Sequence, residues 1–125
     1  MMMTPFMQKL THLSSTADQI TASACVPADS VWYAGHFPGY PILPGIAILA
    51  LVEEAIVAME QKENRRVEIT GIGRVRFRLP VKPDDMMTLK IDKEKKQDRL
   101  SYGFSVYLDE EMVCSGFFRA RIAVD

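Results

Sequence analysis

His36 is the residue in this chain best placed for chemistry. It stands within residues 32–45, which hold Gly35, Pro38, Gly39, Pro41, Pro44 and Gly45 together with Trp32, Tyr33, Phe37 and Tyr40. Imidazole titrates near neutrality, so histidine is the side chain most suited to moving protons at physiological pH. So many prolines and glycines exclude a regular helix or an inner strand, because each proline removes a donor and fixes a dihedral. The aromatics point to a shaped loop packed down on a scaffold, a common setting for binding groups. By residue type alone, the simpler role for such a histidine is a structural one, held by hydrogen bonds. The second histidine, His12, is assigned no function.

Two further groups of residues carry chemical potential. Pro44 and Gly45 open residues 46–59, which are apolar apart from Glu53 and Glu54. Proline suits a first helical turn, and the free amides there carry the positive end of the helix dipole, which suits a developing oxyanion. Gly45, lacking a side chain, would let a substrate approach closely. Glu53 and Glu54, inside an otherwise apolar helix, mark its wetter face or make a salt bridge. Arg74, Arg76 and Arg78 alternate along a strand pattern; such a row attracts acidic partners and phosphates, and a solvated strand face has the same spacing.

These residues need elements to hold them. Residues 1–14 read as a short helix or a loose arm. Residues 19–26 alternate as a strand that Pro27 and Asp29 end. Residues 46–59 form a buried helix, with the polar run 60–66 as its exit. Beyond it, Val67 to Leu79 alternates with Gly71 and Gly73 marking a bulge. Met87, Leu89 and Ile91 start another strand, 95–99 a turn, and the last two strands join through Asp109-Glu110-Glu111 as a hairpin. One strand, one helix and four antiparallel strands make an α+β layout, an antiparallel sheet wrapped around one long central helix. A sheet of this size leaves an edge and part of the helix uncovered, so a dimer is expected.

The 125 residues suit one domain, 1–125, and can bury enough apolar surface to fold without a disulfide or metal. The formal net charge of −1 gives no overall pull toward nucleic acid or an anionic membrane. Cys25 and Cys114 match no metal-ligand spacing and read as reduced, buried thiols. The first residues lack the apolar core of a signal peptide, so a cytoplasmic location is expected. No cofactor and no metal are expected.

The run His36-Phe37-Pro38-Gly39-Tyr40-Pro41-Ile42-Leu43-Pro44-Gly45 resembles the signature of the beta-hydroxyacyl-acyl-carrier-protein dehydratases, His-Phe-Pro-Gly-x-Pro-x-x-Pro-Gly. A second run, from Arg74 through Phe77, Arg78, Pro80, Val81 and Pro83 to Asp85, is similar to that family's Ala-Arg-Phe-(Lys/Arg)-x-Pro-Val-x-Pro-Gly-Asp. The likeness extends from about Gln19 to the end of the chain. It implies a hot-dog fold, a homodimer or larger assembly, and acyl chains delivered as thioesters on acyl carrier protein. It also implies catalysis by His36 together with an acid fourteen positions later on the partner's helix. In this chain that position is Ala50, and the nearest carboxylate on the same face is Glu54, one helical turn along.

Removing water from a 3-hydroxyacyl thioester needs a base for the alpha proton, donors for the enolate-like oxygen and an acid for the leaving hydroxyl. The resemblance implies His36 for proton transfer and the amides near Gly45 for the oxyanion. Phe37, Gly39, Leu43 and Pro44 are substrate-binding candidates beside them. The acid is either Glu54, displaced by about 5–6 Å from Ala50, or a carboxylate on a different hot-dog subunit in a mixed dimer, or else His36 acts alone, slowly, with water as the proton donor. Arg74, Arg76 and Arg78 are candidates for carrier-protein docking. The alternatives are a non-catalytic subunit of a mixed dimer and an acyl-thioesterase using Glu54.

Overall fold

The computed structural model describes residues 10–33 and 42–123. Two short strands come first, β1 (Leu10–Ser15) and β2 (Gln19–Ala24), followed by the helix α1 (Gly45–Lys62). Four longer strands complete the chain: β3 (Val67–Phe77), β4 (Met87–Lys96), β5 (Arg99–Leu108) and β6 (Glu111–Ile122). All pairings are antiparallel, and the sheet order is β1-β2-β4-β5-β6-β3. The expected α+β layout is therefore present.

Period-two patterning builds the sheet. Met87, Leu89 and Ile91 of β4 and Leu100, Tyr102, Phe104 and Val106 of β5 all face the helix side and are buried, while their neighbours face outward. The β4–β5 and β5–β6 turns are tight, and each uses a left-handed residue, Gln97 (φ 57°) and Asp109 (φ 54°). The bulge expected near Gly71 and Gly73 occurs: the β3–β6 register shifts between Ile69 and Gly71 and again between Gly73 and Arg76. Gly116 of β6 has no room for a side chain, since a Cβ there would lie 2.8 Å from Phe104 Cζ and 3.1 Å from Val75 Cγ2.

The structure corrects three expectations. Residues 10–14 are neither helix nor arm; they belong to β1, whose Leu10 pairs with Ala24 and Ser15 with Ile20. Two strands therefore precede the helix. The mixed pattern of Leu10 to Ser15 hid this, because an edge strand with few buried side chains need not alternate cleanly. The helix also runs on through Glu60 to Lys62, and Glu60 is buried although it falls in the polar run that was to mark the exit. Finally, α1 is buried along one face only. Its buried positions, Ala47, Ile48, Leu51, Val52, Ala55, Ile56, Met59 and Glu60, form a single stripe. Ile46 on another side is 66% exposed, and Leu49 and Ala50 are half-buried.

Glu60 is the buried carboxylate that ties the last turn of α1 to the sheet. Its Oε2 accepts from the Tyr102 hydroxyl and lies 2.7 Å from Lys93 Nζ; its Oε1 accepts from Arg65 Nε at 3.1 Å. Burial pushes the Glu60 carboxyl up, but hydrogen bonds from Lys93, Tyr102 and Arg65 outweigh it and hold the group below the usual carboxylate range. Burial, reinforced by the same contact with Glu60, raises the Tyr102 phenol. Among the described residues no helix is long and apolar enough to cross a membrane.

Candidate active site

Two loops converge on the start of α1. The loop after β3 is pinned on both sides: Asp84 N–H donates to the Val26 carbonyl at 3.0 Å, and Leu43 N–H donates to the Val81 carbonyl at 2.8 Å. The second bond joins the two segments that carry the family resemblance, one ending at Gly45 and the other running from Arg74 to Asp85. Lys82 N–H donates to Asp85 Oδ2 at 2.9 Å, which closes the loop on itself.

Pro44 caps the helix in an extended conformation (φ −60°, ψ 143°) and contributes no side-chain hydrogen bond. Proline lacks the hydroxyl or carboxylate with which Ser, Thr or Asp would satisfy the first amides. Among the described residues, Ala47 N–H donates to the Pro44 carbonyl at 3.0 Å, and the amides of Gly45 and Ile46 take no cap from the Pro44 side chain, so the positive end of α1 suits an acceptor. Beside it lies a cleft of about 390 Å³ whose lining among the described residues is mostly apolar (Ile42, Leu43, Gly45, Ile48, Phe77, Leu79 and Pro80) with Arg78 as its one charged residue. Apolar walls around a helix start can hold an acyl chain with a polar end on the amides.

Gly45 serves this arrangement through a close approach. A Cβ at Gly45 would sit 2.5 Å from Phe77 Cζ, so the ring of Phe77 packs directly on the helix start. Sequence reasoning assigned the missing side chain to substrate approach; in the folded chain Phe77 occupies that space and is itself 50% exposed. Phe77 and Val81 are site residues that residue-by-residue reading overlooked. Their signal was present in the second resemblance segment.

The other candidates are distributed as follows. His36, Phe37 and Gly39 lie outside the described residues. Leu43 is buried and Pro44 half-buried. Glu54 is half-buried on α1, while Glu53 is exposed. At 1.5 Å per residue, Glu54 lies about 13 Å along the axis from Gly45 and Ala50 about 7 Å. Of the three arginines, Arg78 borders the cleft. Arg74 stands at the β3 bulge with φ 52°, and Arg76 pairs in register with Ser115. The bulge interrupts the alternation that had put all three on one row.

Tyr33 ends a short 3-10 turn, Val31–Tyr33, that leads toward the signature segment. Its hydroxyl is buried and has no hydrogen-bond partner among the described residues. Burial, with the nearby carboxylates of Asp85 and Asp84, pushes this phenol up to about 12, which keeps it protonated at neutral pH. Among the described residues no group of three His, Cys, Asp or Glu side chains could hold a metal ion.

A family model described as ApeI-like, ApeI dehydratase, matches residues 12–117. The chain is 37% identical over 94 residues to the 3-hydroxyacyl-[acyl-carrier-protein] dehydratase FabZ of Geobacillus sp. (strain WCH70), covering 71% of this chain and 65% of the relative. It is 30% identical over 106 residues to the FabZ of Clostridium perfringens (strain SM101 / Type A), covering 81% and 76%. The match spans 65%, 66% and 63% of the length of three such relatives, slightly under two thirds. Among solved structures, the dehydratase heterocomplex ApeI:P from Xenorhabdus doucetiae superposes with a TM-score of 0.70 at 21% identity, covering 92% of this chain and 98% of that one. Streptococcus mutans smu.793, bound to acetyl CoA, gives 0.73 at 11% identity, covering 93% and 90%. At these identities the shared property is the fold, the expected hot-dog arrangement of an antiparallel sheet on one helix.

Proposed function

The chain belongs to the ApeI-like dehydratase family, and on that premise we propose that it removes water from 3-hydroxyacyl thioesters carried on acyl carrier protein, giving the trans-2-enoyl thioester. The observation that carries this reading is the uncapped start of α1 beside an apolar cleft, formed where the two resemblance segments are hydrogen-bonded together. Amides aimed at a thioester oxygen favour the enolate-like charge that builds as the alpha proton leaves. His36, carried over from the signature, accepts that proton. The carbon–oxygen bond at C3 then breaks, the hydroxyl takes a proton from an acid, and water departs as the double bond forms. We assign the location to the cytoplasm, with one hot-dog domain over residues 1–125.

The identity of the acid favours an assembly. Ala50 stands where the family signature leads one to count fourteen from His36, and Glu54 lies about 6 Å farther along the helix. A positioned proton transfer tolerates little of such displacement. A mixed dimer in which a second hot-dog subunit supplies the carboxylate fits three features. β3 is an eleven-residue strand at the edge of the sheet, with no outer neighbour among the described residues. Ile46, Ile72 and Phe77 stand 66%, 46% and 50% exposed around it and around the start of α1. The ApeI:P protein of Xenorhabdus doucetiae is itself described as a dehydratase heterocomplex.

The test is the absorbance of an enoyl thioester, formed or hydrated, with the purified chain alone and then with Ala50→Glu. Activity that appears or rises in Ala50→Glu and disappears in the His36→Ala double variant supports the reading. Turnover by the chain alone that is lost in Glu54→Gln would place the acid at Glu54. An enzyme indifferent to His36→Ala would sink the proposal.

A further inference from the structure

The outward face of the sheet carries a row of cations at one end. Lys96 of β4 stands opposite Arg99 of β5, and Arg99 stands opposite Arg121 of β6. Arg119 follows one step along, opposite Ser101. All four cations are exposed. Like charges placed directly opposite on neighbouring strands destabilise a sheet, so this row works against folding. Compensation within the chain is partial: Arg121 pairs with Glu68 at 2.8 Å, and among the described residues no carboxylate pairs with Lys96 or Arg99. The row borders a groove of about 430 Å³ that also includes Thr70 and Glu94.

We propose that this row docks an acidic helix of a partner protein. Strands lie about 4.8 Å apart, so Lys96 and Arg121, two strands apart, are separated by about 10 Å at the backbone. Carboxylates at positions i, i+4 and i+7 of a helix span about 10 Å as well. A helix laid across the strands therefore presents carboxylates along the row; the guanidinium of Arg99 can donate two hydrogen bonds to one of them, while Arg121, whose Nε and Nη2 both contact Glu68, adds charge beside it. Glu68 and Glu94 border the row and oppose a longer polyanion such as a nucleic acid or a bilayer surface, whose phosphates would extend past the cations. On β3, Arg121 stands opposite Glu68 and Arg119 opposite Gly71, whereas the cleft at Gly45 lies at Phe77, nine and six residues farther on, about 30 and 20 Å along that strand. The surface is thus separate from the acyl cleft of the same chain, and the inference does not depend on the proposed reaction.

The experiment uses fluorescence anisotropy with the full chain and a labelled helical peptide bearing Glu at i, i+4 and i+7, against matched peptides bearing Gln or Lys. Binding of the Glu peptide, about tenfold weaker in Lys96→Glu/Arg99→Glu and weakened by salt, is the expected result. The Lys peptide should bind that variant and not the natural chain. Arg99→Ser should melt no lower than the natural chain, since it relieves a like-charge pair, and should bind the Glu peptide less well. Equal binding of the Glu and Gln peptides, an unaffected double variant, or tighter binding to duplex DNA or to vesicles containing phosphatidylserine would overturn the proposal.

Discussion

Replacing Glu60 by Gln tests how the helix is held. The Glu60 side chain is 4% exposed and that of Lys93 13%, with 2.7 Å between Oε2 and Nζ. The amide keeps the shape but removes the charge, so the Lys93 ammonium is left nearly buried without its counterion. Removing one partner of a buried pair costs about 3–5 kcal/mol. Arg65, more exposed than the others, recovers some hydration, which puts the expected loss near 3 kcal/mol. For a chain of this size that corresponds to a fall of about 10–15 °C in Tm, measured by calorimetry or circular dichroism at pH 7. Adding Lys93→Met removes the orphaned charge and should recover much of the loss. The pH dependence follows from the direction of the shift. Glu60 is held below its ordinary value of 4.5, so its contribution is complete above that pH and fades as the pH falls through the lowered folded-state value. The gap between the natural chain and Glu60→Gln should therefore close in acid. A loss under about 1 kcal/mol at pH 7, or a gap that persists undiminished at low pH, would refute the anchoring role.

Three further outcomes follow from packing and burial. Gly116→Ala would force a Cβ against Phe104 and Val75, both packed in the sheet's inner face, and should cost about 1–3 kcal/mol by overpacking, read as a lowered denaturant midpoint. Gly45→Ala meets the tip of the half-exposed Phe77 ring, which can swing aside, so stability should change by less than about 1 kcal/mol while enoyl-thioester turnover falls; an unfolded variant would contradict this. Burial pushes the Cys114 thiol up to about 12, so at pH 8 a disulfide reagent should modify Cys25 first and reach Cys114 only on unfolding, as read by mass spectrometry of the labelled chain.

Local physics makes much of this protein legible in its sequence. Alternation in β4 and β5, and through most of β6, announces strands with one buried face, because a strand's side chains change sides at every residue; only the register shift between Val106 and Tyr107, where Val113 and Cys114 are both buried, breaks it. Pro44 followed by Gly45 announces the helix start, and the two glycines of β3 announce its bulges. The residues around His36 and those from Arg74 to Asp85 announce the family, and with it the reaction to be tested. Tertiary structure decided the rest. Residues 10–15 become a strand only because β2 offers an edge to pair with; their own sequence holds too few buried positions to say so. Glu60 reads as a helix exit until Tyr102, forty-two residues away, and Lys93 enclose it, for a charge is buried only where distant partners meet it. The same holds for Phe77 against Gly45 and for Lys96, Arg99 and Arg121 in one row: each pattern is a property of register, which relates residues far apart along the chain and leaves no periodic mark within any one segment.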